Sequence, residues 1–308
     1  MFKIFLLLAL LGNVLFPEAK LPEKFNDKIN SILNESTPER NTGPDKVLGG
    51  GWDIKASPIP SKPNQSTHQP QAAASLSADL LSNQILASTN IDRRLPIASL
   101  TKLMTAYIIL RENKLDEVFT VPSLEIRSGD SLAGLKPGEK ITVKALLYGL
   151  LINSGNDAAQ TLAINNADSI NGFVKKMNLT AKNLSLTNTN YSNPVGWDDP
   201  NNYSSAKDMY TLSRILLNNS DFRNITSLRL ATVYTITGRP IPLVNTNLLL
   251  GGDGVVGLKT GYTPISGECL VALDKFENHE IITVILGSND RFGQTKNYLD
   301  WIKSSFTW

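Results

Sequence analysis

Three short motifs that combine hydroxyl and lysine side chains occur in one order along the chain. They are Ser99-Leu100-Thr101-Lys102, Ser154-Gly155-Asn156 and Lys259-Thr260-Gly261. The first motif supplies a serine nucleophile and a lysine that can act as its base, and the other two supply a second hydroxyl–lysine group for proton transfer. This combination is typical of serine acyl transfer without histidine.

Single copies of these motifs are weak evidence, because such short patterns also occur by chance. S-x-x-K occurs again from Ser204 to Lys207, and S-x-N occurs again at Ser88 and Ser169, whereas K-T-G occurs once. The second S-x-x-K lies in a polar stretch, so we interpret Ser204 or Ser205 as a helix N-cap. Sequence context must therefore identify the functional copies.

The segment that begins at Ser99 has the apolar spacing of a core-facing helix, with Pro96 just before it. Ser99 should lie in or next to the first helical turn, and Lys102, three residues later, shares its face. The positive end of the helix dipole favours negative charge nearby and disfavours a protonated lysine, as a base requires. The apolar positions are Leu100, Leu103, Met104, Tyr107 and Ile108.

The other two motifs are predicted at element ends and edges. Ser154-Gly155-Asn156 follows an apolar helical run, residues 143–152, and precedes a second helical run, which predicts a turn between two helices. Lys259-Thr260-Gly261 is predicted on a strand beside two later apolar strands. Gly261 would let a substrate backbone approach this strand closely.

Together these segments resemble the serine D-alanyl-D-alanine peptidases, the low-molecular-mass penicillin-binding proteins. The resemblance extends from about Ala73 to the C-terminus and is carried by residues 95–106, 150–159 and 257–263. Residues 193–196 resemble a further family segment, which often has histidine where this chain has Val195.

The resemblance implies an α+β fold, a three-layer α/β/α sandwich with a mainly antiparallel sheet and an inserted helical lobe. The residue patterns agree with it. Residues 75–89 read as a hairpin, residues from about 142 to 219 as a helical region, and strands return after Leu230. We therefore expect early and late strands to form one sheet around the helices.

The resemblance also implies the catalytic roles. Ser99 would attack the carbonyl of a terminal D-Ala-D-Ala bond, with Lys102 as its base. An ordinary lysine pKa of ~10.4 leaves the amine protonated at neutral pH, so desolvation and the nearby cation Lys259 must lower it. Ser154 would relay the proton to the departing amine.

Substrate-binding roles follow from the same resemblance. Asn156 would hold a substrate amide, Thr260 would bind the terminal carboxylate together with Arg291, and Gly261 would line the site. The backbone N–H groups of Ser99 and Tyr262 would form the oxyanion hole, where losing one donor typically costs about 10²–10³ in rate.

Several related activities remain open at this point. A D-Ala-D-Ala carboxypeptidase is favoured, and a D,D-endopeptidase that cleaves peptidoglycan cross-links is the runner-up. A β-lactam sensor that acylates and then stops is a further alternative. A class A β-lactamase needs a deacylating glutamate between S-x-N and K-T-G, and no glutamate occurs between Asp157 and Leu258. β-Lactams are therefore expected to be covalent inhibitors.

The residue inventory disfavours other chemistries. The two histidines, His68 and His279, are predicted to be solvated loop residues, and no H-E-x-x-H pattern occurs, so neither metal nor cofactor is expected. The only cysteine, Cys269, lies in an apolar strand and is predicted to be a buried thiol. The net charge of +2 gives no indication of a nucleic-acid partner.

Three regions are predicted from composition. Residues 1–19 have the features of a signal peptide or signal anchor, residues 20–70 those of a flexible linker, and residues 71–308 would form the catalytic domain. The chain ends soon after Gly261, so we expect no second β-rich domain. An exported, extracytoplasmic monomer with a possible N-terminal membrane tether is predicted.

Overall fold

A computed structural model describes Pro60, Ser61 and His68 to Trp308, apart from Asp253. The predicted signal segment, residues 1–19, and most of the predicted linker, residues 20–70, lie outside the described residues. The strands of the described part are β1 (Ala74–Asp79), β2 (Ile85–Thr89), β3 (Leu95–Pro96), β4 (Val118–Thr120), β5 (Lys140–Thr142), β6 (Tyr203–Ser204), β7 (Leu230–Tyr234), β8 (Pro240–Val244), β9 (Val255–Thr263), β10 (Gly267–Phe276) and β11 (His279–Ser288).

Helices occupy the middle of the chain and its C-terminal end. A single 3₁₀ turn, Ala98–Thr101, leads directly into the first α-helix. The α-helices are α1 (Lys102–Glu112), α2 (Val143–Leu151), α3 (Asn156–Ala167), α4 (Ile170–Asn183), α5 (Ala206–Leu216), α6 (Ser220–Thr226) and α7 (Arg291–Ser305).

A five-stranded antiparallel sheet in the order β2-β1-β11-β10-β9 joins the two ends of the described chain. Ala74 of β1 lies opposite Leu286 of β11, so the early hairpin and the late strands form one sheet. The prediction of a hairpin over residues 75–89 and of strands after Leu230 is confirmed. Strand β9, which carries Lys259-Thr260-Gly261, lies at one edge, as predicted.

Apolar side chains cover both faces of this sheet, which explains the nearly continuous apolar runs of β10 and β11. Leu270 and Ile285 pack with Tyr298 of α7 on one face. Successive residues of a strand point to opposite faces, so Val271 and Val284 join the core shared with the helical region. Helices therefore flank the sheet on both sides, and the predicted three-layer α/β/α fold is confirmed.

Side-chain caps begin several of these helices. The Oγ of Ser205 accepts a hydrogen bond from the backbone N–H of Asp208 at 3.1 Å and caps α5. The second S-x-x-K is therefore a cap, as predicted. Ser169 caps α4 in the same way, accepting from Gly172 N at 3.0 Å.

The prediction of a solvated loop residue was wrong for His279, whereas His68 lies in a loop as predicted but is only partly exposed. His279 begins β11, is 4% exposed, and its Nδ1 lies 2.9 Å from Oδ1 of the buried Asp79. His68 is half-buried, with its ring 6.3 Å from that of Tyr298 and 6.0 Å from that of Trp301. Both contacts join residues far apart in the chain, so local composition could not show them. Cys269 is a buried free thiol, as predicted.

Part of the segment predicted as a linker contacts the sheet domain. Ser61 N donates to Thr307 O at 3.1 Å, and Thr307 N donates to Ser61 O at 2.8 Å. The linker itself stays a prediction. Among the residues that the structure describes, no helix combines the length and hydrophobicity needed to cross a membrane.

Candidate active site

The 3₁₀ turn before α1 brings the predicted nucleophile and its base together. Because this turn continues into α1, Ser99 and Lys102 lie on one face, and Lys102 Nζ donates to Ser99 Oγ at 2.8 Å. Ala98, just before the nucleophile, has a left-handed backbone with φ +46°. Such strained positions are found preferentially at functional sites.

Lys102 is fully buried although it carries an amine. Its Nζ also contacts Asn156 Oδ1 and Val195 O, each at 2.6 Å. Burial lowers the pKa of Lys102 from 10.5 to about 7, while the negative charges of Asp130 and Asp157 oppose this shift. An amine with such a pKa is partly neutral at physiological pH and can accept a proton from a hydroxyl.

The predicted turn between two helices holds Ser154 and Asn156. α2 ends at Leu151, α3 begins at Asn156, and Ser154 has φ +58°. The buried carboxylate of Asp157 fixes this turn against a neighbouring loop, because it accepts hydrogen bonds from Ala133 N and Gly134 N at 2.8 Å each. The side chains of Ser154 and Asn156 therefore project from a turn that these hydrogen bonds hold in place.

Lys259 on the edge strand β9 forms a second hydroxyl–lysine pair. Its Nζ lies 2.8 Å from Ser154 Oγ and 3.0 Å from Thr260 O. Burial lowers the pKa of Lys259 well below its ordinary value, and the positive charges of Lys102 and Arg291 lower it further. Burial is the leading cause for both lysines, which confirms the predicted desolvation of Lys102, whereas Lys259 is not among the groups that shift the pKa of Lys102.

Two glycines allow the surrounding backbone to pack directly against the nucleophile turn. A Cβ at Gly261 would lie 2.9 Å from Ile97 O and 3.1 Å from Ser99 N. We predicted that Gly261 admits a substrate backbone, and in the structure the close neighbour is the nucleophile turn. A Cβ at Gly196, whose φ is +95°, would overlap the carbonyl oxygen of Ala98.

Replacing Gly196 by alanine should therefore both destabilise the fold and slow acylation of Ser99. The left-handed backbone alone costs an alanine more than about 1 kcal/mol, and the overlap with Ala98 must displace the nucleophile turn. The control is Gly238→Ala, because Gly238 has φ +85° but no atom within 4 Å of its Cβ position. Thermal unfolding and penicillin labelling should separate the two variants, and equal behaviour would contradict the clash.

Arg291 joins the same group of residues. It begins α7, and its Nη1 donates to Gly261 O at 2.9 Å while its guanidinium lies 4.7 Å from the centre of the Phe292 ring. Thr260 Oγ1 lies 2.6 Å from Thr246 Oγ1. Tyr262, the next residue on β9 after Gly261, is 61% exposed. The structure thus brings the predicted site residues of all three motifs and Arg291 together.

Two residues of this centre, Asp130 and Trp197, were missed by the motif analysis. Val195, which was noted for its departure from histidine, contributes its backbone carbonyl to Lys102, and this contact does not depend on the side chain. Asp130 Oδ1 accepts from Asn156 Nδ2 at 2.6 Å and from Trp197 Nε1 at 2.8 Å. Neither Asp130 nor Trp197 belongs to a motif that could have identified it.

A cleft of about 500 Å³ lies beside the end of β9 and the segment before the nucleophile. Its lining includes Pro96, Asp198, Tyr203 and the exposed Ile265. Asp198 accepts a hydrogen bond from Thr263 Oγ1 at 2.6 Å, which ties the cleft to β9. Ser99, Lys102, Ser154 and Lys259 are not among the residues that line this cleft.

A serine hydroxyl in hydrogen-bond contact with a buried lysine amine, next to a sheet flanked by helices, is the arrangement of the serine acyl-transfer class. Residues 61–290 match the model of the D-alanyl-D-alanine carboxypeptidase family, peptidase family S11. The chain belongs to this family.

Individual relatives agree with the family match. The chain is 35% identical to D-alanyl-D-alanine carboxypeptidase DacF of Bacillus subtilis over 79% of its length, and it spans 64% of that protein. It is 32% identical to D-alanyl-D-alanine carboxypeptidase DacB2 of Mycobacterium tuberculosis, over 82% of this chain and 84% of that one. The Streptomyces K15 DD-transpeptidase structure has a TM-score of 0.73 at 29% identity, covering 78% of this chain and 99% of that chain.

Proposed function

We propose that the protein is a serine-type D-Ala-D-Ala carboxypeptidase that acts on peptidoglycan stem peptides through an acyl-enzyme on Ser99. The observation that carries this proposal is the 2.8 Å contact between Ser99 Oγ and the buried Lys102 Nζ. A lysine whose pKa is about 7 can take the serine proton as the oxygen attacks. The names of the family and of its relatives supply the substrate class.

The proposed reaction has two halves. Ser99 Oγ attacks the carbonyl of the terminal D-Ala-D-Ala bond, its proton passes to Lys102, and the C–N bond breaks with release of D-alanine. The pair of Ser154 and Lys259, 2.8 Å apart, relays this proton from Lys102 to the departing amine. Water then attacks the ester carbonyl, Lys102 passes a proton of the water to Ser99 Oγ as the C–O bond breaks, and the shortened peptide leaves as a carboxylic acid.

Binding roles follow from the positions of the remaining groups. Gly261 packs beside Ser99 N, so the backbone N–H groups of Ser99 and Tyr262 would form the oxyanion hole. Thr260 and Arg291 would bind the terminal carboxylate, and Asn156 a substrate amide. We further propose that β-lactams acylate Ser99 and act as covalent inhibitors, since no glutamate separates S-x-N from K-T-G.

An endopeptidase that cleaves cross-links is the alternative, because it would use the same acyl-enzyme. The similarity to a DD-transpeptidase over 99% of that chain adds a third fate, in which a second peptide amine attacks the ester. These activities differ only in the amine that leaves when the acyl-enzyme forms and in the nucleophile that then attacks the ester.

One experiment with defined peptides separates these fates. The purified protein is incubated with a pentapeptide ending in D-Ala-D-Ala and, in parallel, with a cross-linked dimer, and the products are identified by mass. We expect free D-alanine and tetrapeptide with many turnovers. Cleavage of the dimer alone would indicate an endopeptidase, formation of a dimer from pentapeptide a transpeptidase, and a single stoichiometric burst a sensor.

The proposed substrate places the protein outside the cytoplasm. We propose that residues 1–19 direct export and either are removed or remain as a membrane tether, that residues 20–70 act as a linker, and that residues 71–308 form a monomeric catalytic domain. A role in the cell wall and in cell shape would follow from trimming stem peptides.

A further inference from the structure

Four hydrogen bonds, together with the backbone from Val195 to Trp197, form a closed ring that includes the amine of Lys102. Lys102 Nζ contacts Asn156 Oδ1 at 2.6 Å, Asn156 Nδ2 donates to Asp130 Oδ1 at 2.6 Å, and Trp197 Nε1 donates to the same oxygen at 2.8 Å. Val195 lies two residues before Trp197, and its backbone oxygen accepts a hydrogen bond from Lys102 Nζ at 2.6 Å. We call these five residues the Asp130 ring.

The ring determines where the lone pair of a neutral Lys102 amine can point. An ammonium has three N–H donors, whereas the neutral amine has two N–H donors and one lone pair. When Asn156 Oδ1 and Val195 O occupy the two donors, the lone pair is left for the third neighbour. That neighbour is Ser99 Oγ, 2.8 Å away, whose proton the base must accept.

The orientation of the Asn156 amide is therefore decisive. If the amide were reversed, its NH₂ group would face Lys102 and compete with Ser99 for the lone pair. An ionised carboxylate only accepts hydrogen bonds, so Asp130 requires the NH₂ group of Asn156 to face it and leaves the oxygen for Lys102. The Trp197 indole N–H donates to the same Asp130 oxygen and holds it in place.

We propose that Asp130 is a positioning residue that fixes the Asn156 amide and thereby directs the lone pair of Lys102 at Ser99. This inference rests on the proposed function, because it assigns a purpose to a base in acyl transfer. Asp130 lies in the loop between β4 and β5 and contacts Asn156 instead of the reacting atoms.

Asp130 also contributes charge at this position. The carboxylates of Asp130 and Asp157 raise the pKa of Lys102 against the effect of burial, and the positive charge of Lys102 in turn lowers the pKa of Lys259. Asp157 is held by the backbone N–H groups of Ala133 and Gly134 and would be unaffected by a change at position 130. Removing the charge of Asp130 should lower the pKa of Lys102 further.

The test is Asp130→Asn in the full chain, measured as the rate of Ser99 acylation by labelled penicillin across pH. We expect the rate to fall about tenfold or more, since misplacing a catalytic group by about 1 Å can cost ~10². In the plot of acylation rate against pH, the midpoint of the rise on the acid side should move to lower pH, because a lower pKa keeps the Lys102 amine neutral at lower pH. A merely structural loosening would admit water and move the midpoint upward.

The matched control is Asp168→Asn, which removes the same charge at the far end of the helix that Asn156 begins, about 18 Å away. It should match the unaltered protein in both rate and midpoint. Trp197→Phe removes one donor to Asp130 without altering charge, so its rate should fall less and its midpoint should stay.

The outcomes separate this inference from the proposed function. If penicillin labels the unaltered protein but Asp130→Asn keeps its rate and midpoint, the positioning role is wrong and the acyl-transfer proposal stands. If penicillin fails to label the unaltered protein, the proposed function fails first. Should Asp130→Asn not fold, an unchanged rate in Trp197→Phe would overturn the inference on its own.

Discussion

Replacing Ser99 by alanine should abolish covalent labelling by penicillin and release of D-alanine, with a loss of about 10³-fold or more. The reason is that Ser99 Oγ lies 2.8 Å from the buried Lys102 amine, so its removal leaves the proposed base without a nucleophile to activate. Intact-protein mass spectrometry after incubation with penicillin measures the adduct, and peptide mapping locates it.

The control for this variant comes from the second S-x-x-K of the chain. Ser204 is buried, and its Oγ lies 2.7 Å from Thr189 Oγ1. It takes no part in the contacts of Lys102 or Lys259 described above. Ser204→Ala should therefore be labelled at a normal rate. Persistent labelling of Ser99→Ala would show that another residue is the nucleophile.

Replacing Lys102 by methionine should slow acylation of Ser99 by about 10²–10⁴-fold, the usual contribution of a general base. Methionine fills similar volume in the buried site but has no lone pair to accept the proton. In the unaltered protein, acylation should rise with pH through about 7, because Lys102 acts as a base only after its ammonium loses a proton. Stopped-flow measurement of acylation across pH tests both statements.

A lysine on the protein surface provides the comparison. Lys175 of α4 is exposed, so Lys175→Met should keep both the rate and the pH midpoint of the unaltered protein. Circular dichroism should show that Lys102→Met is folded. A folded Lys102→Met variant with an undiminished rate would assign the base to another group, and a flat profile across neutral pH would do the same.

The motifs and their surroundings were readable from sequence because local rules govern them. The helical spacing after Ser99, the turn at Ser154 and the strand that carries Lys259 each depend on neighbouring residues. The Asp130–Trp197 contact joins residues 67 positions apart, and the His279–Asp79 contact joins residues 200 apart. Such pairings follow from tertiary packing, which composition and periodicity do not determine.

The roles of the glycines show the same limit. Gly261 was recognised as a point of close approach, but the sequence could not identify the nucleophile turn as its neighbour. Val195 illustrates the opposite case, since its backbone oxygen contacts Lys102 whatever the side chain is. A motif therefore identifies the reacting groups reliably, but it does not identify the neighbouring residues that hold those groups in position.

The burial of two amines also couples the folding equilibrium to hydrogen-ion activity. Lys102 releases its proton near pH 7 when folded, whereas the same side chain in an unfolded chain keeps it until about pH 10.5. Between these limits the denatured state holds more protons, so denaturation must be accompanied by proton uptake and becomes less favourable as the solution becomes more alkaline. Resistance to denaturation is thus lowest below about pH 7, where Lys102 is also protonated and cannot accept a proton from Ser99.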